Sequence, residues 1–402
     1  NDSLLDQPIF VTNGATLTIE PGTTIYGSEN FDNGTFGSLV VTRGSKINAV
    51  GRAILNDPGN PFLGGNTLNE REIEGFPSGG DTSLITYGGL DDSDDSGTLR
   101  FVSIRYGGFK FSGDNEINGL TLGAVGSDTD ISFVEVFNNS DDGIEFFGGT
   151  VDTSYMAMAF NEDESFDIDE GYRGRGQFWF AIQKDGGPAG PNQKTGSNYG
   201  GEHDGGNGDD KTLEPFARAK VFNATFIGAG ANAPNYSQEN SVFRLKENFA
   251  GQYHNSVFHD FQDHAIRIDD QDTRDRANTS GDLSFENNTW GDFGASTGTL
   301  ASITKNGSPE EIAQLNTKGN IVQPPALVSI SRLADGGLDP RPQNGSPLFS
   351  SALSDQPAGF YRQVPYRGAF GGTNWLECWT QLDKLGYLDS STYIEEPSAI
   401  TP

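Results

Sequence analysis

The chain has 402 residues, with 26 Lys+Arg against 56 Asp+Glu, a formal net charge of −30. Its one cysteine, Cys378, excludes an intrachain disulfide scaffold, and so negative a surface repels a phosphate backbone and argues against nucleic acid as a partner. No apolar run of about 18 residues occurs, so no helical membrane span is expected; the 34% hydrophobic and 11% aromatic residues supply a core and argue against disorder.

In chain order, the opening Asn1-Asp-Ser-Leu-Leu-Asp lacks a basic segment and an apolar segment, so the expectation is a secreted protein whose leader has been removed. Short runs rich in Val, Ile, Phe, Thr and Tyr follow, separated by Gly, Asn and Asp, the signature of strands and turns. They include Ala15–Ile19, Leu39–Thr42, Leu99–Tyr106, Ile131–Phe137, Tyr155–Phe160 and Gln177–Gln183, then Ala219–Ile227, Ser241–Leu245, Ser256–Phe261 and Leu283–Trp290. Gly/Pro/Asp-rich insertions are expected near 57–81 and 186–210. Helix is expected at Pro309–Leu315, capped by Ser308, and at Trp375–Leu385.

Self-similarity arranges the strands. Phe133-Val-Glu-Val and Tyr155-Met-Ala-Met lie 22 residues apart, as do Asp141-Asp-Gly-Ile-Glu and Asp163-Glu-Ser-Phe-Asp, whereas Asn223, Asn255 and Asn287 recur every 32. A fixed offset with two or three short strands per unit is one coil of a parallel β-helix; the longer offset is a coil with a loop inserted. The fold class predicted is all-β, a right-handed parallel solenoid over 1–317, with a Pro-rich tail over 318–402 packing on the solenoid or on a neighbouring subunit. Its asparagines are expected to form a column.

Several strings carry a resemblance. Gly14-Ala-Thr-Leu-Thr-Ile-Glu-Pro-Gly-Thr-Thr-Ile-Tyr-Gly, Asn139-Ser-Asp-Asp-Gly-Ile-Glu-Phe-Phe-Gly-Gly, Asp163-Glu-Ser-Phe-Asp-Ile-Asp-Glu-Gly-Tyr and Tyr366-Arg-Gly-Ala-Phe-Gly-Gly-Thr-Asn-Trp are similar to a family of secreted, right-handed parallel β-helix proteins of marine and other Gram-negative bacteria. The resemblance implies fold and location rather than chemistry.

The candidate site is the acidic centre: Asp141, Asp142, Glu145, Asp163, Asp167, Asp169 and Glu170. At the 22-residue offset Asp141 stacks near Asp163 and Glu145 near Asp167, so like charges repel unless something compensates. Three readings stay open: bound Ca²⁺, for which oxygen ligands are suited; turn capping by the Asp side chains, with pairing to Arg173 and Arg175; and catalysis. Asp141-Asp142-Gly-Ile and Asp269-Asp270 are faintly similar to the acidic pairs of polygalacturonase-type hydrolases, and Arg244-Leu-Lys246 and Arg267-Ile-Asp269 to their substrate-binding basic residues, but the expected Gly-His-Gly is missing. His254, His259 and His264, five apart, fall on alternate faces of strands, which opposes a shared metal. His203 reads as part of a polar surface turn. Trp179, Trp290, Trp375 and Trp379 are candidates for subunit or sugar contacts. A first coil starting about ten residues into the chain, with no helix to cover it, is a template for head-to-tail addition. The favoured function is thus a non-enzymatic extracellular structural or surface protein, Ca²⁺-stabilised, self-assembling into a filament or layer and in contact with polysaccharide. The alternative is a Ca²⁺-dependent polysaccharide lyase or glycoside hydrolase using the acidic groove.

Overall fold

The computed structural model describes residues 2–30, 35–51, 62–63, 71–76, 81–112, 115–185, 197–206, 211–233, 239–349 and 351–388. Strands one coil apart pair in parallel: Val134 with Met156, Ile144 with Phe166, and Phe222 with His254 and then Glu286. The 22- and 32-residue offsets of the sequence are therefore coil lengths. Stacking yields one sheet of thirteen strands, running from Thr16–Ile19 to Ile321–Val322, and one of eight, from Phe62–Leu63 to Thr304–Lys305. The fold is a parallel β-helix.

Alternation along each strand decides what lies inside. On the smaller sheet Leu122, Phe146 and Ile168 are consecutive in register; on the larger, Val134, Met156 and Trp179 are. All six are fully buried in one core. Phe166 lies flat on Trp179, with ring centroids 4.5 Å apart. Each such side chain contributes about 1.5–3 kcal/mol of burial. Trp290 is equally buried, against Phe258.

One corner of the coil has an unusual backbone. Phe101, Phe133, Tyr155, Phe178, Asn223, Asn255 and Asn287 all sit there with φ between 52° and 57°. The first four stack ring on ring, centroids 4.5, 4.3 and 4.7 Å apart. The asparagines follow strands that pair in register, so they form the expected column. A left-handed conformation suits Asn but costs a bulky residue about 1–3 kcal/mol. Aromatic stacking, at about 0.5–1.5 kcal/mol per pair, offsets part of that cost.

The tail covers this corner. Trp375 and Trp379 meet the rings of Phe133 and Tyr155 edge-on. Ser354 accepts from and donates to Asn255 (2.9 and 2.7 Å), and Asn223 donates to Tyr366 O (2.9 Å). Arg367, 1% exposed, donates to the carbonyls of Asn288, Gly319 and Ala352. Leu338, Phe370, Leu376 and Leu382 complete a second core with Phe137, Phe160 and Phe180 of the solenoid.

Three boundaries differ from the sequence reading. Ile321–Val322 still pairs with Thr289–Phe293, so the solenoid runs past residue 317. Of the helix expected at Trp375–Leu385 only α3 (Gln381–Lys384) forms, because Cys378 takes φ 72° and breaks the turn before it; the two α-helices before it, α1 (Gln271–Asp275) and α2 (Pro309–Thr317), lie near the last coils. Most of each insertion, 57–81 and 186–210, lies outside the described residues, but Phe62–Leu63 and Tyr199–Asp204 are regular strands of the smaller sheet. Helix α2 does begin at Ser308, whose hydroxyl accepts from Glu311 N while Glu311 accepts from Ser308 N, and its Leu315 packs on the core of the last coils. No helix among the described residues is long and apolar enough to cross a membrane.

Candidate functional site: a carboxylate ladder

Three parallel strands, Leu120–Gly123, Ile144–Phe147 and Phe166–Asp169, put Thr121, Glu145 and Asp167 in one outward column. Turns ahead of the last two bring in Asp142 and, one coil on, Asp163 and Glu164. Asp142 accepts from Glu164 N at 2.9 Å, and Gly143 N donates to Glu164 O at 2.9 Å, which locks the two turns together. Asp142, Glu145 and Asp167 then offer carboxylate oxygens within 4.8 Å of one another, as do Asp142, Asp163 and Glu164. Asn118 Nδ2 donates to Glu145 and, at 2.8 Å, to Glu74; Asn198 Nδ2 donates to Asp163 at 2.6 Å.

These donors do not compensate the charge. Burial, then the neighbouring carboxylates, lifts Asp142, Glu145 and Asp167 well above the usual carboxylate range. Burial with the charges of Asp167 and Glu202 pushes Glu164 up to about 8. Asp167 is half-buried, yet its Oδ1 is shut off from water with no hydrogen-bond donor. Clustered oxygen donors, one of them orphaned, fit a hard cation such as Ca²⁺, which would bind through Asp142, Glu145 and Asp167.

The other candidates stand differently. Asp141 is buried but belongs to neither close group. Asp169 accepts from Glu170 N, and Glu170 is bound by Tyr87 and by Arg71 at 3.2 Å, so neither joins the ladder. Arg173 and Arg175, expected to relieve the acidic centre, pair instead with Asp92 (2.7 Å) and Asp152 (2.5 Å). Asp270 caps α1 through Thr273 N, a structural task rather than a catalytic one. His203 is no surface ligand: it points into the core, meets Tyr253 Oη at 2.7 Å, and burial lowers it to about 3. No group of metal-ligating type among the described residues includes a histidine. Trp179 and Trp290 lie inside the coil and Trp375 and Trp379 under the tail's own contacts, so none is an open platform for a sugar or a second subunit.

The structure also assembles what reads as scattered. Beyond Asp167 the column continues through Glu202, Arg244, Arg267 and Lys305; beside it Asp204 pairs with Lys246. The face thus grades from acidic to basic. Lys246 sits 2.7 Å from Glu202 and 2.9 Å from Asp204; Arg244 bonds Glu202 (2.9 Å) and Asp269 (2.8 Å); Arg267 bonds Glu239 (2.9 Å). Burial pushes Asp204 up to about 6 against the pull of Lys246. For Lys246 burial works downward, but Asp204 and Glu202 outweigh it and hold the ammonium above its usual range. The alternation Glu202-His203-Asp204, polar-in-register around an inward residue, is the sequence signal that would have placed this strand.

The family model described as a pectate-lyase like beta helix domain matches residues 2–323. No curated protein and no solved structure matches the chain. The matched span covers both sheets and ends where the last parallel strand does, and on it the chain belongs to the pectate-lyase-like β-helix domain family.

Proposed function

We propose that the protein is an extracellular, Ca²⁺-stabilised β-helix that binds acidic polysaccharide along the charged face of its smaller sheet and does not cleave it. The observation that carries this reading is the set Asp142, Glu145 and Asp167, with oxygens within 4.8 Å and Asp167 Oδ1 lacking a donor. Bound there, Ca²⁺ supplies positive charge to the acidic half of the face. Arg244, Lys246, Arg267 and Lys305 supply it to the other half, each already on a carboxylate. A polysaccharide carboxylate would exchange with those partners.

Two features weigh against chemistry. An elimination needs a neutral base beside the substrate, and Lys246 is held protonated by Glu202 and Asp204. A glycoside hydrolase needs two carboxyls with opposed protonation about 5–9.5 Å apart. The ladder acids are closer than that and are all shifted in the same direction. The test is retention on immobilised acidic and neutral polysaccharides with Ca²⁺ or EDTA, with assay of unsaturated and reducing-end products. Ca²⁺-dependent retention on the acidic polymer without product is expected; catalytic release of product, or no retention, would overturn the reading.

Self-assembly is a second reading, favoured by the exposure of Leu4 (67%) and Tyr26 (54%), which pair in register on neighbouring coils. Helix α2 covers core residues at the other end, so head-to-tail growth into a filament requires α2 to move. Sedimentation velocity across a hundredfold range of concentration decides it: growing species support assembly, a constant monomer removes it.

A further inference from the structure

The tail meets the solenoid through a second core, separate from the one inside the coil. Phe137, Ala159, Ile182 and Ile227 follow one another in register on the larger sheet and face outward, where Leu338, Phe370, Leu376 and Leu382 of the tail cover them. An apolar column on the outside of a solenoid, left bare, is a site of protein association. The polar contacts of the same face reach the tail's main chain. Gln177 donates to Arg362 O at 2.8 Å and accepts from Arg362 N at 2.7 Å. Glu135, fully buried, accepts from Gln381 N at 2.7 Å and Leu382 N at 3.2 Å. None of these contacts depends on which solenoid the tail is attached to.

The tail is tied to its own solenoid by the hinge at 323–326 (Gln-Pro-Pro-Ala), between the last parallel strand, Ile321–Val322, and the tail's first strand, Leu327–Ile330. Each proline disfavours helical backbone in the residue before it, which biases Gln323 and Pro324 toward extended backbone. The left-handed step into the tail falls on Ala326, φ 53°, a conformation that glycine adopts readily and alanine rarely. The hinge carbonyls are held by the tail: Pro325 O accepts from Ser346 Oγ at 2.7 Å, and Ala326 O from Gln343 N at 2.9 Å. A short hinge under strain favours exchange of the segment beyond it between copies.

We infer that the tail beyond Ala326 is an exchangeable module: the tail of one copy seats on the outward face of a second, Ala326 relaxing to negative φ, and the second returns its own. The partner is another copy of this chain, docked by the contacts seen within one chain. Reciprocal exchange satisfies both faces and closes at two subunits, unlike end-to-end growth of the solenoid. It uses neither the carboxylate ladder nor the exposed residues of the first coils, so its failure and theirs are separate.

Ala326→Pro and Ala326→Gly test the inference by size exclusion with light scattering and by limited proteolysis. Proline cannot take φ 53°, so A326P should purify as a dimer of twice the parent mass, its tail as resistant to protease as the parent's. A326G, free of the strain, should stay a monomer. The parent, held at about 1 mM and about 10 °C below its melting temperature, should convert in part to a dimer that outlasts dilution by about a hundredfold, and A326G should convert about fivefold less. The parent comparison decides the matter where A326P fails to fold. A monomeric or polymeric A326P, a dimeric A326P with a rapidly cut tail, or equal dimer content in the parent and A326G would overturn the proposal.

Discussion

Glu145 shows how much a single carboxylate carries here. It is 7% exposed, shares its donor Asn118 with Glu74, and lies beside Asp142 and Asp167. Folding raises the proton affinity of these acids, so the folded chain binds more protons than the unfolded one. Without metal, their favourable contribution is complete below the ordinary carboxylate value of 4.5 and is lost as pH rises through the folded values, about 8 for Glu164. In EDTA the melting temperature should therefore fall from pH 5 to pH 8, and saturating Ca²⁺ should reverse most of the loss; a metal-free melting temperature that rises over this range contradicts the assignment. Glu145→Gln cannot ionise, so the fall in metal-free melting temperature between pH 5 and pH 8 should shrink while the Ca²⁺ increment is abolished. The acidic positions and their 22-residue stacking are legible in the sequence. That Glu170 turns aside is not, because its partners Tyr87 and Arg71 come from a remote coil.

At the scale of the element, the left-handed corner links strand geometry to tail docking. Asn255 holds φ 52° and bonds Ser354 in both directions. Asn255→Ala loses those bonds and keeps the strained backbone, an expected cost of about 2–4 kcal/mol by urea unfolding. Asn255→Gly relieves the backbone and should cost about 1 kcal/mol less. Equal costs would mean that the corner conformation stores no strain. The equal spacing of Asn223, Asn255 and Asn287 makes their column readable from sequence. The continuation of the same corner into Phe178, Tyr155, Phe133 and Phe101 is hidden, because coil length changes along the way and an aromatic side chain gives no local sign of positive φ.

For the whole molecule, the parallel solenoid is legible because stacking coils of constant length imprints a period on the chain. The charged face is not, since Glu202 and Arg244 align only across a coil of different length, and side chains far apart in sequence meet without a repeated offset. The tail adds a second layer fixed by Arg367, a buried cation facing carbonyls rather than a carboxylate. Burial alone lowers it to about 10. Arg367→Met leaves those carbonyls short of donors, so limited proteolysis should cut between residues 324 and 388 at least tenfold faster while the solenoid stays intact; parental cleavage rates would deny the tail that anchor.

The cation in the ladder is tested most directly by titrating Ca²⁺ into the metal-free protein at pH 7.5 in two buffers of different ionisation enthalpy. One ion should bind, with a buffer-dependent heat reporting protons expelled from Asp142, Glu145 and Asp167, and Asp167→Asn should lose both binding and proton release. No heat in either buffer, together with a melting temperature indifferent to EDTA, would contradict the account.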